Sequence, residues 1–422
     1  MGRVAVSALA PGMILEADIR DTCGRMLLRA GETLTQRSLR VLRIWGVTEA
    51  QVRGHGEDPA ALTAGDKDLA ALDPCLVEAA RCHVAQRFRH MNSALPPIRE
   101  LMRASMRRVA MRYVITGVPT ERHLGEIRGA GAGAVDPGHW VKLDPARFIR
   151  DDLSLGSLPQ IFQRLVQIIN DEHSSAADVA EVITTDTDLA ARVLRVVNSP
   201  LYGLSSRIGT VSRAVAILGG AQLVSLAMGV CVVSTFKGIP ARVVNMRDFW
   251  RHSLACAIGA RLLGSMLRLA HPERLFVAGL LHDIGRLAMY KLTPEQARQA
   301  IAHAHAEGIL LRTAEHRCLG FTHDTLGGLL LEAWRLPPML VDCVRSHHSL
   351  DLAEAVKEAA CVHIADCMAN ALELGGSGDH YLTPLDLAAW KTLGLSTTCL
   401  RETLRQTEHQ VEDVFRFFLE DV

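Results

Sequence analysis

The 422-residue chain carries 46 Lys+Arg against 46 Asp+Glu, with 49% apolar and only 5% aromatic residues. At roughly 100–200 residues per domain, this length holds about two to four domains with ample core. A net charge of zero excludes the basic footprint of a nucleic-acid coat, and few aromatics beside abundant Ala and Leu exclude an all-β architecture.

The ten cysteines contain no CxxC pair, which excludes a zinc ribbon and a thioredoxin-like redox site. They read as buried free thiols of a reducing compartment, so the expected location is cytoplasmic. The apolar start Val4–Leu15 is broken by Pro11-Gly12 and has no cleavage site behind it, unlike a signal peptide. Residues 214–236 carry no charge over a bilayer-spanning length. Gly219-Gly220 and Gln222 interrupt them, which predicts two buried helices and no membrane insertion.

Taken in chain order, residues 1–54 show short alternating apolar runs around Pro11-Gly12 and Gly24, then a helix capped by Thr35 and a return strand in VTEAQVRG. This predicts a small N-terminal α+β module. Residues 55–150 form an Arg-rich helical region followed by the linker GAGAGAVDPG. The ten arginines between 81 and 128 suit a solvated face or an interdomain surface, or phosphate contacts. From 151 to 372 the apolar spacing is helical almost throughout, so the fold class is mainly α. A GGSGDH turn then leads into a C-terminal helical extension, 373–422.

Histidine carries the chemistry. His252, His282-Asp283, His323, His347-His348 and Asp366 follow one another at intervals of one or two helices. A helical bundle can aim residues so spaced into one cavity, and imidazole with carboxylate suits Fe, Mn, Zn or similar divalent ions. Two ions sharing Asp283 would make a centre able to hold a phosphoryl group. Asp248, one turn before His252, either adds a ligand or merely favours its helix dipole. Two neighbouring imidazoles on a helix point apart, so one of His347 and His348 is expected to ligate. His323 equally suits the first turn of a helix. His303 and His305 read as solvent-facing, His363 as packing beside the site, and Asn198-Ser199-Pro200 as a helix-ending turn.

The doublet in GLLHDIGRLAM resembles the signature of the HD phosphohydrolase superfamily. LPQIFQRLVQIIND, DTDLAARVLRVVNSPLYG, AVAILGGAQLV, HDTLGGLLLEAWRLPP and SHH, in this order, resemble the HDOD family, the HD-related output domain of bacterial signalling proteins. Residues 4–54 are similar to the module that precedes HD-GYP and HDOD domains. The resemblance implies an all-helical bundle and a metal-ligand set of His252, His282, Asp283, His323, His347, His348 and Asp366. It also implies a regulatory role, because no Gly-Tyr-Pro signature follows His348, as it does in the related cyclic-dinucleotide phosphodiesterases. Those enzymes carry a lysine where this chain has Arg286. Two functions follow: a regulatory binding module for a nucleotide second messenger or a signalling protein, or a metal-dependent phosphohydrolase in which Asp283 bridges ions and Arg286 holds phosphate. A homodimer is compatible with both. No receiver domain and no DNA-binding motif is visible.

Overall fold

The computed structural model describes residues 3–53 apart from 7–8, 21–25, 45–46 and 48; 69–119 apart from 70; 140–150 apart from 141; and 160–418 apart from 172, 200–201, 203, 205 and 237. The glycine-rich stretch 129–138 lies outside the described residues.

In the N-terminal module, β1 (Arg3–Ala5) pairs antiparallel with β4 (Glu49–Gln51), and β2 (Ile19–Arg20) with β3 (Met26–Leu28). Between β3 and β4, helix α1 (Gln36–Ile44) starts where the Thr35 hydroxyl accepts the Ser38 N–H at 3.1 Å. Val6, Leu15, Leu34, Leu42 and Val52 close a small core of their own, separate from that of the helices.

All other described elements are helical. Helices α2 (Pro74–Arg87) and α3 (Pro96–Thr116) both begin with proline, whose missing N–H costs nothing in a first turn. Charges on α3 meet partners from the C-terminal part of the chain: Arg108 pairs with Glu408, Arg112 with Glu373, and Glu100 accepts from Arg401 bidentately. Arg108 and Arg112 thus face an internal interface, while Arg81, Arg89 and Arg99 are exposed.

After α4 (Arg147–Arg150), helices α5 (Gln160–Asn170), α6 (Ala176–Thr184) and α7 (Thr187–Val197) follow the predicted apolar spacing. Ser175 and Asp178 form a capping box at the start of α6. The uncharged stretch divides into α8 (Val211–Leu218) and α9 (Gly220–Thr235) at Gly219, whose φ of 97° suits only glycine. No helix among the described residues is long and apolar enough to cross a membrane. Asn198 ends α7, its amide bonded both ways to the Ile208 backbone.

The remaining helices are α10 (Met246–Met266), α11 (Pro272–Leu281), α12 (Ile284–Leu292), α13 (Pro294–Glu307), α14 (Leu311–Leu319), α15 (His323–Ala333), α16 (Pro338–Ser346), α17 (Val356–Ala371), α18 (Leu387–Leu393) and α19 (Thr397–Phe418). Helix α10 is the hub, packed against α11, α17 and α19. Leu393, Leu400, Leu404, Val411 and Val414, from the segment beyond 372, lie in the same core as α10 and α17. The described cysteines are free thiols, but Cys75 and Cys82 are exposed, contrary to the expectation that all are buried. Both sit on α2, at the edge of the bundle.

Candidate metal centre

Helix ends and close crossings bring the ligand candidates together. His252 projects from α10 and Asp366 from α17, two helices packed on each other. His282 ends α11 and Asp283 starts α12, so the HD doublet sits at a break between helices. His323 is the first residue of α15, and His347 and His348 follow the last turn of α16. Two glycines make the crossings possible. A Cβ on Gly279 would fall 2.8 Å from the Ala257 backbone, and one on Gly285 only 2.0 Å from the His323 carbonyl. The second contact lets α12 touch α15, bringing Asp283 to His323.

The seven candidates form one continuous cluster. His252 Nε2 lies 3.2 Å from His282 Nε2 and 3.2 Å from Asp366 Oδ1, while His282 Nε2 lies 3.6 Å from Asp366 Oδ1. Asp283 spans the cluster: its Oδ2 is 3.2 Å from His282 Nε2, and its Oδ1 is 3.2 Å from His323 Nε2. His323 Nε2 in turn lies 2.9 Å from His348 Nε2 and 3.4 Å from His347 Nε2. Three groups have ligand atoms close enough to share an ion: His252, His282 and Asp366; His282, Asp283 and His347; His323, His347 and His348. His347 and His348 therefore both enter the cluster, against the expectation of one. They follow α16 instead of lying within it, so helical geometry does not splay them.

The outer nitrogens fix how two rings point. His282 Nδ1 is 2.7 Å from the Gly279 carbonyl and His347 Nδ1 2.7 Å from the Val344 carbonyl. A carbonyl only accepts, so both Nδ1 atoms carry a proton and both Nε2 atoms face the cluster, each with a lone pair when its ring is neutral. His323 Nδ1 donates to Glu315 Oε2 at 2.6 Å. Burial and the neighbouring imidazolium positions draw His347 down to about 3 and push His348 well below the usual imidazole range. Against the opposing pull of burial, Arg286, His282 and His323 hold Asp283 well below the carboxylate range. The His252 and His282 hydrogen bonds do the same for Asp366. His323 moves the other way, raised by Glu315 against burial and Arg286.

With the imidazoles neutral, lone pairs and carboxylates would face one another at 2.9–3.6 Å with few protons between them. Among the described residues, Arg286 is the one Arg or Lys hydrogen-bonded to Asp283, Glu315 and Asp379, and Asp366 is bonded to none. His252 Nδ1 and His348 Nδ1 are buried without a hydrogen-bond partner. Such a donor set fits one or two divalent cations.

Other candidates lie apart. Asp248 stays in the first turn of α10, in none of the three groups. His303 and His305 are half-buried, not solvent-facing: His303 meets Trp140 and His305 meets His380 in ring contacts. His363 holds the site from outside, Nδ1 donating to the His347 carbonyl at 2.7 Å and Nε2 accepting the Asp386 N–H at 2.8 Å. Glu315, Asn370, Ser377 and Asp379 escaped the sequence reading. Asn370 donates to Asp366 at 2.7 Å from one turn away, a same-face spacing that could have marked it. The others come from loops or neighbouring helices and leave no local pattern.

Comparison with known proteins bears on the fold that carries this cluster. The HDOD domain family matches residues 155–350. The chain carries an HDOD domain. Its fold resembles that of an HDOD domain protein of unknown function from Geobacter sulfurreducens, with 25% identity, a TM-score of 0.52, and coverage of 63% of this chain and 92% of that one. A candidate phosphohydrolase from Shewanella amazonensis is similar at 25% identity and a TM-score of 0.53, over 68% of this chain and 99% of its own. An uncharacterized protein of Treponema pallidum (strain Nichols) shares 24% identity over 203 residues, 46% of this chain. The match spans 38% of that relative's length.

Proposed function

We propose that this is a cytoplasmic signalling protein whose HDOD bundle holds one or two divalent ions in the His252–Asp366 cluster and acts as a regulatory binding module. The observation that carries the reading is the pair of inward Nε2 atoms of His282 and His347, fixed by the outward bonds of their Nδ1 atoms to backbone carbonyls. His252, His282, Asp366 and one oxygen of Asp283 would hold the first ion; His323, His347, His348 and the other oxygen of Asp283 would hold the second. Bound ions would tie helices α10 and α17 to the junctions at 282–283, 323 and 347–348. A nucleotide or a signalling protein that favours one arrangement of those junctions would shift its population.

Catalysis is the second reading, favoured by the shared carboxylate of Asp283 and by the likeness to the Shewanella candidate phosphohydrolase. There the ions would supply Lewis acidity and Asp283 would position them. Arg286 does not stand free for phosphate, since Glu315 and Asp379 both hold its guanidinium. Elemental analysis of protein purified without chelator tests the shared premise; metal content equal to that of Asp283→Ala would reject it. Hydrolysis of a nucleotide panel by the loaded protein then separates the readings, turnover abolished by Asp283→Ala favouring the enzyme.

A further inference from the structure

Arg286 is buried, and what closes it off from solvent comes from outside the family match. Its Nε donates to Glu315 at 3.0 Å and its Nη1 reaches Asp283 at 3.4 Å. The rest of its fork is taken by the loop after α17. Nη1 donates to Ser377 Oγ at 2.6 Å and to Asp379 Oδ2, and Nη2 donates to Asp379 Oδ1 at 3.1 Å. One guanidinium nitrogen therefore touches both Asp379 and the carboxylate that links the two halves of the metal cluster. The Asp379 side chain is 8% exposed, against 2–3% for Arg286, Glu315 and Asp283, so the loop forms the outer wall.

The loop is built to enter this place. Gly375 has φ 79°, and a Cβ there would fall 2.1 Å from the Asp248 carbonyl and 2.7 Å from the His252 N–H. Gly378 has φ 113° and faces the Tyr290 hydroxyl, which donates to the Ser377 carbonyl at 2.6 Å. Two glycines bring the chain down onto the site, and a serine and an aspartate fill the arginine fork. Helix α2 holds both ends: Arg87 and His83 reach Glu373 before the loop, and the Arg87 carbonyl accepts the Leu382 N–H after it.

We propose that residues 375–382 are a displaceable plug, with the Asp379 carboxylate standing in a fork suited to an oxyanion such as a phosphate group. A carboxylate and a phosphate present the same paired oxygens to a guanidinium, and the fork opens beside the shared Asp283. An oxyanion joining the ions must therefore evict Asp379, and the plug keeps the centre closed until it does. The proposal rests on the metal reading for its ligand, though not for the closed state of the loop.

The test uses the full chain. Asp379→Asn keeps size and removes the charge; Tyr290→Phe loosens the loop while leaving Asp379 in place. Hydrogen exchange of the 375–382 amides is followed in metal-free protein, and inorganic phosphate binding to Mn²⁺-loaded protein by calorimetry. Asp379→Asn is expected to speed exchange in this loop about tenfold or more, one broken charge-assisted contact, and to raise phosphate affinity similarly. Tyr290→Phe should shift both in the same direction by less. Exchange and affinity within twofold of wild type in both variants would overturn the plug. Faster loop exchange in protein that takes up no Mn²⁺ upholds the closed loop and rejects the metal reading alone.

Discussion

Two clusters of this protein, one half-buried and one buried, use the same residue types and come out opposite. Around Glu373, His83 Nε2 lies 2.6 Å from one carboxylate oxygen and Arg112 Nη1 2.7 Å from the other, with Arg87 at 3.8 Å. Every acceptor there has a proton facing it. Around Asp283, imidazole nitrogens and carboxylates converge with Arg286 as the one hydrogen-bonded Arg or Lys among the described residues. Burial of charged residues does not distinguish a site from a structural tie. The balance of protons does: both Glu373 oxygens face donors as folded, whereas the Asp283 cluster with neutral rings holds more acceptors than protons, a deficit that cations would fill.

The largest expected contrast is in metal content. Asp283→Ala removes the carboxylate common to both halves and should leave metal at background by elemental analysis, whereas Glu373→Gln should retain wild-type content. Ligand binding stabilises a fold by about 2.7 kcal/mol when the free ligand is a hundred times its Kd. Melting of metal-loaded Asp283→Ala should therefore match that of chelated wild type. Metal retained by Asp283→Ala would erase the distinction between the clusters.

Within the metal cluster, Glu315→Gln probes how firmly the second half is held. The Glu315 carboxylate accepts from His323 Nδ1 and from the His323 backbone N–H at 3.0 Å. An amide in its place weakens the orientation and basicity of that ring. Losses of roughly 10–100-fold in metal affinity are usual for such outer partners. Titration with Mn²⁺ should show the site around His323 weakened and the His252–His282–Asp366 site unchanged; a uniform loss at both would dissolve the division into halves.

The Glu373 cluster makes its prediction in pH. Burial opposes ionisation, but His83, Arg87 and Arg112 bring the carboxyl from its ordinary 4.5 down to about 2. A depressed pKa contributes stability that is fully present above about 4.5 and is lost as pH falls toward 2. Glu373→Gln should therefore destabilise neutral protein by about 2–3 kcal/mol and flatten the acid limb of a denaturation profile in that window. An unchanged acid limb would mean that the ties from α2 and α3 contribute nothing.

Much of this was legible before any coordinates. The 3.6-residue spacing marks the bundle helices because each buries one face, and Gly219 divides the uncharged stretch because no other residue suits its φ. The ligand candidates were visible because five of the eighteen histidines, with two aspartates, follow one another at intervals of one or two helices. What sequence could not show is pairing across distance. Asp379 and Arg286 are 93 residues apart, and Glu315 lies on a different helix from both. The Arg-rich stretch hid its partners for the same reason: Arg108 meets an acid 300 residues away. His303 and His305 misled because AHAHAEG reads as a polar face, whereas Trp140 and His380 cover them.

His303 supplies the smallest effect and the strictest control. Its ring centroid lies 5.2 Å from that of Trp140 at an interplanar angle of 53°, a contact worth on the order of 0.5–1.5 kcal/mol. It belongs to none of the three metal groups. His303→Ala should therefore lower the melting temperature slightly and by the same amount with and without metal. His348→Ala, removing an imidazole 2.9 Å from His323 Nε2, should lower it in metal-loaded protein far more than in chelated protein. The informative quantity is the difference between loaded and chelated melting, in which ordinary packing losses cancel. If that difference falls equally for His303→Ala and His348→Ala, metal is bound through histidines in general, and the cluster around Asp283 selects nothing.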